Sequence, residues 1–355
     1  MGSVPFDTVE EVMRTCGTTV GDRVLAVPDG EIGLRSTWIG ALPHMSYEKC
    51  PDLEPVHVVA PEDVKSPDHH GPDLLDAFAT FRLRPGVTET SFELHFGPEA
   101  IRSYAVFTRL RSEGVIPEGV RFQVSIPFTS DATDIFFPEP ADREIVTRAY
   151  ETSVQRMIRE ILEHVPADDL VIQWDYCSEV LHCIGAFDAI WPPAPGDTPE
   201  ARFERYTNRE YVAPLSQGIP DEVMLGYHIC FGTWGGWPIG RVLDIGLCVR
   251  LAGALVANTP HRVDFVHLPS MPDPAPDYFR PLADLDIGDT KVFLGIELSD
   301  GLDALMRRAQ MAREHLPQFG LAHYCGYGRE EPARVRELLT EIRDGAERLA
   351  AGSRA

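Results

Sequence analysis

Residues 223–230 read VMLGYHIC, an apolar run interrupted by one glycine and closed by a histidine and a cysteine. The run does not alternate apolar with polar residues, so it reads as a β-strand covered on both faces, the pattern of a parallel sheet. In a strand, residues i and i+2 point to the same side, so His228 and Cys230 address one point in space. Seven similar runs accompany it: RVLAVPDG (23–30), TSFELHFG (90–97), RFQVSIPF (121–128), LVIQWD (170–175), VDFVHLP (263–269), KVFLGIEL (291–298) and FGLAHYCG (319–326). Between them lie helical patterns. In residues 142–165, Val146, Tyr150, Val154, Met157, Ile158, Ile161 and Leu162 recur at helical spacing as one apolar stripe. Further helices are expected over 98–114, 241–258, 300–316 and 330–352, the last with Pro332 in its first turn.

Strand and helix thus alternate to the end, and the expected class is α/β: a (β/α)8 TIM barrel forming a single catalytic domain over 1–355. A doubly wound open sheet is the competing arrangement, and the count of eight runs favours the barrel. Two stretches are too long for ordinary βα loops, 31–89 after the first strand and 184–220 after the fourth, and are expected as insertions near the barrel mouth.

The composition, 44% hydrophobic and 25% charged over 355 residues, is that of a globular chain able to bury a large core. With 55 acidic against 32 basic side chains the formal charge is -23, which repels phosphate backbones and anionic lipid; neither nucleic acid nor a membrane is an expected partner. The first twenty residues carry no basic segment followed by an apolar one, and no run of 18 apolar residues occurs, so a cytoplasmic location is expected. The seven cysteines, an odd and scattered set, read as thiols or metal ligands. Oligomeric state is not legible.

In a barrel of this kind functional groups stand at the C-terminal strand ends. That rule selects Asp29 and Glu31 after the first run, Gln173 and Asp175 at the fourth, His228 and Cys230 at the fifth, His267 at the sixth, Glu297 at the seventh and Cys325 at the eighth. Zinc favours thiolate and imidazole, and a catalytic zinc commonly takes three protein ligands, so His228, Cys230 and Cys325 form a chemically sensible set. Singly, a strand-end histidine or cysteine is as well explained by packing.

The segments GYHICFG, LVIQWDYCSEV and HYCGYGREEPARVRELLTEI resemble, in order and spacing, the catalytic barrel of cobalamin-independent methionine synthase and its relatives, including the epoxyalkane:coenzyme M transferases. The likeness covers about the last two-thirds of the chain. It implies zinc held by His228, Cys230 and Cys325, and a substrate role for Gln173 and Asp175. The family's fourth ligand, a Glu on the sixth strand, is replaced by His267, with Glu297 as the other candidate. Arg329 falls one residue early in the C-G-x-x-x-R pattern, and Tyr176-Cys177 stands where the synthase has Glu-Pro.

In the first loop Glu31 is a candidate catalytic carboxylate beside Asp175, and Arg35 a donor for a substrate carboxylate or sulfonate; an ordinary turn with an ion pair explains the same residues. The loop FGTWGGWPIG (231–240) offers Trp234 as an aromatic lid over substrate, or as packing on the rim. The expected function is zinc-dependent alkyl or methyl transfer to a small thiol from an alkyl donor, or carbon–sulfur bond formation or cleavage. The alternatives are a metal-free lyase resembling uroporphyrinogen decarboxylase and a non-catalytic small-molecule-binding barrel with structural zinc.

Overall fold

The computed structural model describes residues 2–65, 76–234 and 236–352. Residues 66–75 of the expected first insertion and Gly235 of the 231–240 loop lie outside the described residues. The strands are β1 (Ala26–Pro28), β2 (Leu53–His57), β3 (Thr80–Leu83), β4 (Arg121–Pro127), β5 (Leu170–Tyr176), β6 (Met224–Ile229), β7 (Phe265–Pro269), β8 (Lys291–Glu297) and β9 (Gly320–His323). β2 and β3 pair with each other, antiparallel. The other seven form one sheet in the order β1-β4-β5-β6-β7-β8-β9, every pair parallel. Each strand lies beside its predecessor with no reversal of order, so this is a barrel-like winding rather than a doubly wound sheet.

The closed ring of eight strands is not what the described residues form. β1 and β9 each have one strand neighbour. The run 90–97 contributes no strand: Phe92 and Leu94 are buried in alternation, as a strand pattern would have them, but their segment docks on a helix instead. The backbone N–H of Phe92 donates to Ser153 Oγ at 2.9 Å, and its carbonyl accepts from Arg156 Nη2 at 2.5 Å. Both partners sit on the helix Pro140–Leu162, so side chains satisfy the groups that a strand ladder would otherwise take. Phe96 then opens the helix Phe96–Ser112.

The Pro140–Leu162 helix buries Val146, Ala149, Tyr150, Ser153, Val154, Met157, Ile158 and Ile161, the stripe expected from its spacing. The first helix, Val9–Val20, starts where the Thr8 side chain accepts from the Glu11 backbone N–H, with Glu10 and Glu11 in its positive first turn. Every residue of β5 and β7 is buried, because helices cover the outside and other side chains fill the inside. Register does the rest. Asp175 pairs with His228, and His228 with His267, so three of the candidate residues stand in one row across β5, β6 and β7. Among the described residues no helix is long and apolar enough to cross a membrane.

Candidate metal centre

His228 and Cys230 project from the end of β6, two residues apart, and Cys325 follows the last residue of β9 by two. Their ligand atoms converge: Cys230 Sγ lies 3.8 Å from Cys325 Sγ, Cys325 Sγ lies 3.7 Å from His228 Nε2, and all three fall within 4.8 Å of one another. A tetrahedral zinc, with bonds of about 2.3 Å to sulfur and 2.0 Å to nitrogen, needs donor separations of about 3.8 Å (S to S) and about 3.5 Å (S to N). Two of the three separations match these values, and the third is no more than 4.8 Å, so the donor set and its chemistry suit such an ion. Among the described residues no fourth His, Cys, Asp or Glu joins them. Both thiols are held protonated well above their usual range, Cys230 by hydrogen bonding with Cys177 and then by burial, Cys325 by hydrogen bonding with Cys230 and then by burial. A cation entering here displaces their protons.

The two residues expected as a fourth ligand are placed elsewhere. His267 Nε2 lies 3.1 Å from the His323 carbonyl oxygen, which can only accept, so that nitrogen carries the proton. Its Nδ1 is then free to accept from His228 Nδ1 at 2.7 Å. This leaves the lone pair of His228 on Nε2, the atom facing Cys325. His267 thus stands behind His228, outside the group of three donors, where it fixes the His228 tautomer, an arrangement of the kind found behind metal-bound histidines. Burial pushes both imidazoles down, His228 well below the usual range and His267 to about 3, so both are neutral at physiological pH. Gly295 makes the space: a Cβ there would lie 2.5 Å from His267 Nε2. Glu297 is fully buried, accepting from the Ser299 backbone N–H at 2.6 Å with its other oxygen 3.6 Å from His323 Nε2, outside the donor group.

The carboxylates form a second polar cluster. Asp175 is buried, accepts from Gln173 Nε2 at 2.8 Å, and is pushed up to about 7 by burial, against that hydrogen bond. Glu31 is raised further, to about 8, by burial and then by repulsion from Asp29 and Asp175; Ser3 Oγ donates to it at 2.8 Å. Arg35, expected to meet substrate, is buried and pairs with Asp29 at 2.7 Å, away from the cavity. Gln173 also stands behind the wall, linked to Ser125 and Gln123 as well as to Asp175.

Donors and acids border one cavity, partly open to solvent. Glu31, Asp175, His228, Cys230, Trp234 and Cys325 all line it. The first expected insertion supplies Trp38, Ile39 and Phe78 to its wall, and the second Phe187. Sequence reasoning missed Cys177, which lines the cavity beside Cys230. The signal was present: Cys177 follows Asp175 by two, and the pairing of Tyr176 with Ile229 brings it level with Cys230. Nothing in the sequence indicates that Ser3 returns to Glu31.

No protein-family model matches the chain, and no curated protein matches it. Solved structures do. A B12-independent methionine synthase from a Shewanella species, in complex with selenomethionine, superimposes with a TM-score of 0.59 at 12% identity, covering 97% of this chain and 87% of its own. A Listeria monocytogenes protein, assigned as a vitamin-B12-independent methionine synthase, gives 0.53 at 16% identity, covering 95% and 86%. At these identities the likeness is one of fold, and it extends over nearly the whole chain.

Proposed function

We propose that this chain is a zinc-dependent enzyme that transfers an alkyl group to a small thiol, or makes or breaks a carbon–sulfur bond at one. One observation carries the reading: His228 Nε2, Cys230 Sγ and Cys325 Sγ converge with zinc-like separations on the floor of a solvent-connected cavity, leaving a position for a further donor. The fold likeness to methionine synthases supports it, as does the selenomethionine held by one of them, an amino acid with an alkylated chalcogen. Zinc, when held by these three residues, is a Lewis acid that favours the thiolate form of a thiol at neutral pH.

The chain's own residues then divide the remaining work. The His267 relay holds His228 in the ligating tautomer. Asp175, raised to about 7, is suited to take a proton released as a substrate thiol ionises. Glu31, protonated at neutral pH, can donate a hydrogen bond to a substrate polar group. Gln173 positions Asp175, and Arg35 acts through Asp29, whose carboxylate also accepts from the Glu31 backbone N–H at 3.0 Å. Trp234 forms part of the substrate wall. The partners are a small thiol and an alkyl donor, and the net charge of -23 disfavours nucleic acid and anionic membrane.

The test is metal analysis of protein purified without added zinc, followed by zinc-edge absorption spectroscopy with and without a simple thiol. About one equivalent of zinc is expected, with two sulfurs and one nitrogen from the protein and a third sulfur on adding thiol. Absence of zinc, or a closed four-ligand shell that the thiol leaves unchanged, overturns the reading.

A further inference from the structure

A second cavity opens at the other end of the sheet and shares no lining residue with the cavity of the metal donors. Its wall is made by the N-terminal halves of the strands, where Val171, Phe265, Phe293 and Leu321 supply apolar surface, and Ile342 of the helix Pro332–Gly352 covers part of it. Both rings lie flat to that wall. A Cβ on Gly226 would come within 2.4 Å of the Phe265 ring, and one on Gly320 within 2.4 Å of the Phe293 ring. Each ring therefore stands where a side chain of the neighbouring strand would be, and the lumen between them is left open.

The inner end of this lumen carries Gln123, Gln173 and His267. The two amides form a relay whose direction is fixed from above. Asp175 accepts from Gln173 Nε2 at 2.8 Å, which leaves Gln173 Oε1 to accept from Gln123 Nε2 at 3.3 Å and makes Gln123 Oε1 the free end of the relay. Among the described residues nothing donates to that oxygen, although Gln123 is only 6% exposed. The oxygen is not sealed within protein, and the cavity is the opening that Gln123 lines. A buried acceptor without a donor is a place for one. The lining offers no unpaired charge beside it: His267 is neutral, Arg23 pairs with Glu347 at 2.9 Å, and Arg343 pairs with Asp344 at 2.9 Å. An ion would lose its hydration here without compensation, whereas an apolar body gains by entering.

We infer that this lower lumen is a second ligand site, for a small neutral molecule of the phenol type: an apolar ring or short chain ending in one O–H or N–H donor, which rests on Gln123 Oε1. The site stands independently of the zinc reading. Its occupant would lie against Gln173 and His267, the residues that hold Asp175 and His228 from behind.

Fluorine NMR titrations of the full chain test it, with 4-fluorophenol, with 4-fluorotoluene as the same body lacking the donor, and with 4-fluorobenzoate as its charged counterpart. The phenol should saturate one site with a Kd of about 1 mM or tighter and bind about fivefold more tightly than the toluene, the difference one neutral hydrogen bond makes, while the benzoate does not bind. Gln123→Leu should bring phenol and toluene to equal affinity. Ala322→Phe, which fills the space from β9, and Ile342→Trp, which fills it from the helix, should each abolish binding of both. A phenol that does not saturate the wild type, that binds no more tightly than the toluene, or that still binds to either filling variant in folded form overturns the site. Should neither filling variant fold, Gln123→Leu decides alone: equal affinities uphold the site, and a surviving preference for the phenol overturns it.

Discussion

The donor wall, with His228, Cys230 and Cys325, and the acid wall, where Glu31 is backed by the Asp29–Arg35 pair, border one cavity yet are held by different forces. The donor wall inherits its geometry from the sheet: strand period places His228 and Cys230 on one side, and backbone pairing places β6 between β5 and β7. The acid wall is a loop in costly backbone conformations. Glu31 and Trp38 have φ of 44° and 55°, a region in which a non-glycine residue costs on the order of 1–3 kcal/mol. Gly30, at φ 94°, is doubly required, because a Cβ there would also lie 2.8 Å from the Val12 side chain. What holds that loop is a handful of polar contacts, chiefly the buried Asp29–Arg35 pair and the Ser3 hydrogen bond to Glu31. The donor wall should therefore tolerate removal of one of its donor side chains with little loss of fold, whereas breaking the Asp29–Arg35 pair behind the acid wall should not be tolerated.

The largest expected effect is on metal binding. Cys230→Ser should lower zinc affinity on the order of 1,000-fold while leaving the thermal transition of the metal-free protein within a few degrees of wild type. Dialysis with elemental analysis, run beside calorimetry, reads both. A metal-free variant that no longer folds would break the contrast between the walls. Next is Asp29→Ala, which strands the buried Arg35 guanidinium and should lower unfolding free energy by about 3 kcal/mol in denaturant titration. A loss below about 1 kcal/mol would show that the loop has other support.

The third prediction concerns pH. The folded state binds the Glu31 proton more tightly than the unfolded chain does, so this contribution is fully present below the ordinary glutamate range and is lost as pH rises through about 8. Glu31→Gln should therefore gain stability over wild type by on the order of 3 kcal/mol between pH 5 and pH 8. Parallel pH-stability curves for the two proteins would sink the claim. The smallest effect is that of His267→Phe. Removing the tautomer-fixing partner should weaken zinc binding by about 10- to 100-fold while retaining one equivalent at saturation. Complete loss of the site would instead mark His267 as a ligand.

The donor wall was the more legible in the sequence, and for the same reason that it is robust. Period-two spacing within one run needs no tertiary knowledge, and the C-terminal strand ends of a barrel fall on one side. Seven of the eight apolar runs became strands of the parallel sheet. The eighth, 90–97, shows the limit: its alternation is real, but whether such a segment joins a sheet or lies on a helix depends on partners 60 residues away, such as Ser153, whose bond to Phe92 spans 61 positions. His267 was found at its strand end, but its role follows from register with His228, which no local pattern encodes. Arg35 was legible as a bidentate donor and not as one already engaged by Asp29.

The order of the strands gives the donor set one more property. Cys230 follows an interior strand, whereas Cys325 follows β9, whose outer edge carries no strand among the described residues. The two sulfurs, 95 positions apart, are 3.8 Å from each other. A cation joining them would close a loop of that length, a cross-link of the kind that removes roughly 4 to 5 kcal/mol of chain entropy from the unfolded state when it is covalent. Loading would then act as a clasp on the last strand and the helix Pro332–Gly352 behind it, and amide hydrogens there should exchange more slowly in the holoprotein than in the apoprotein.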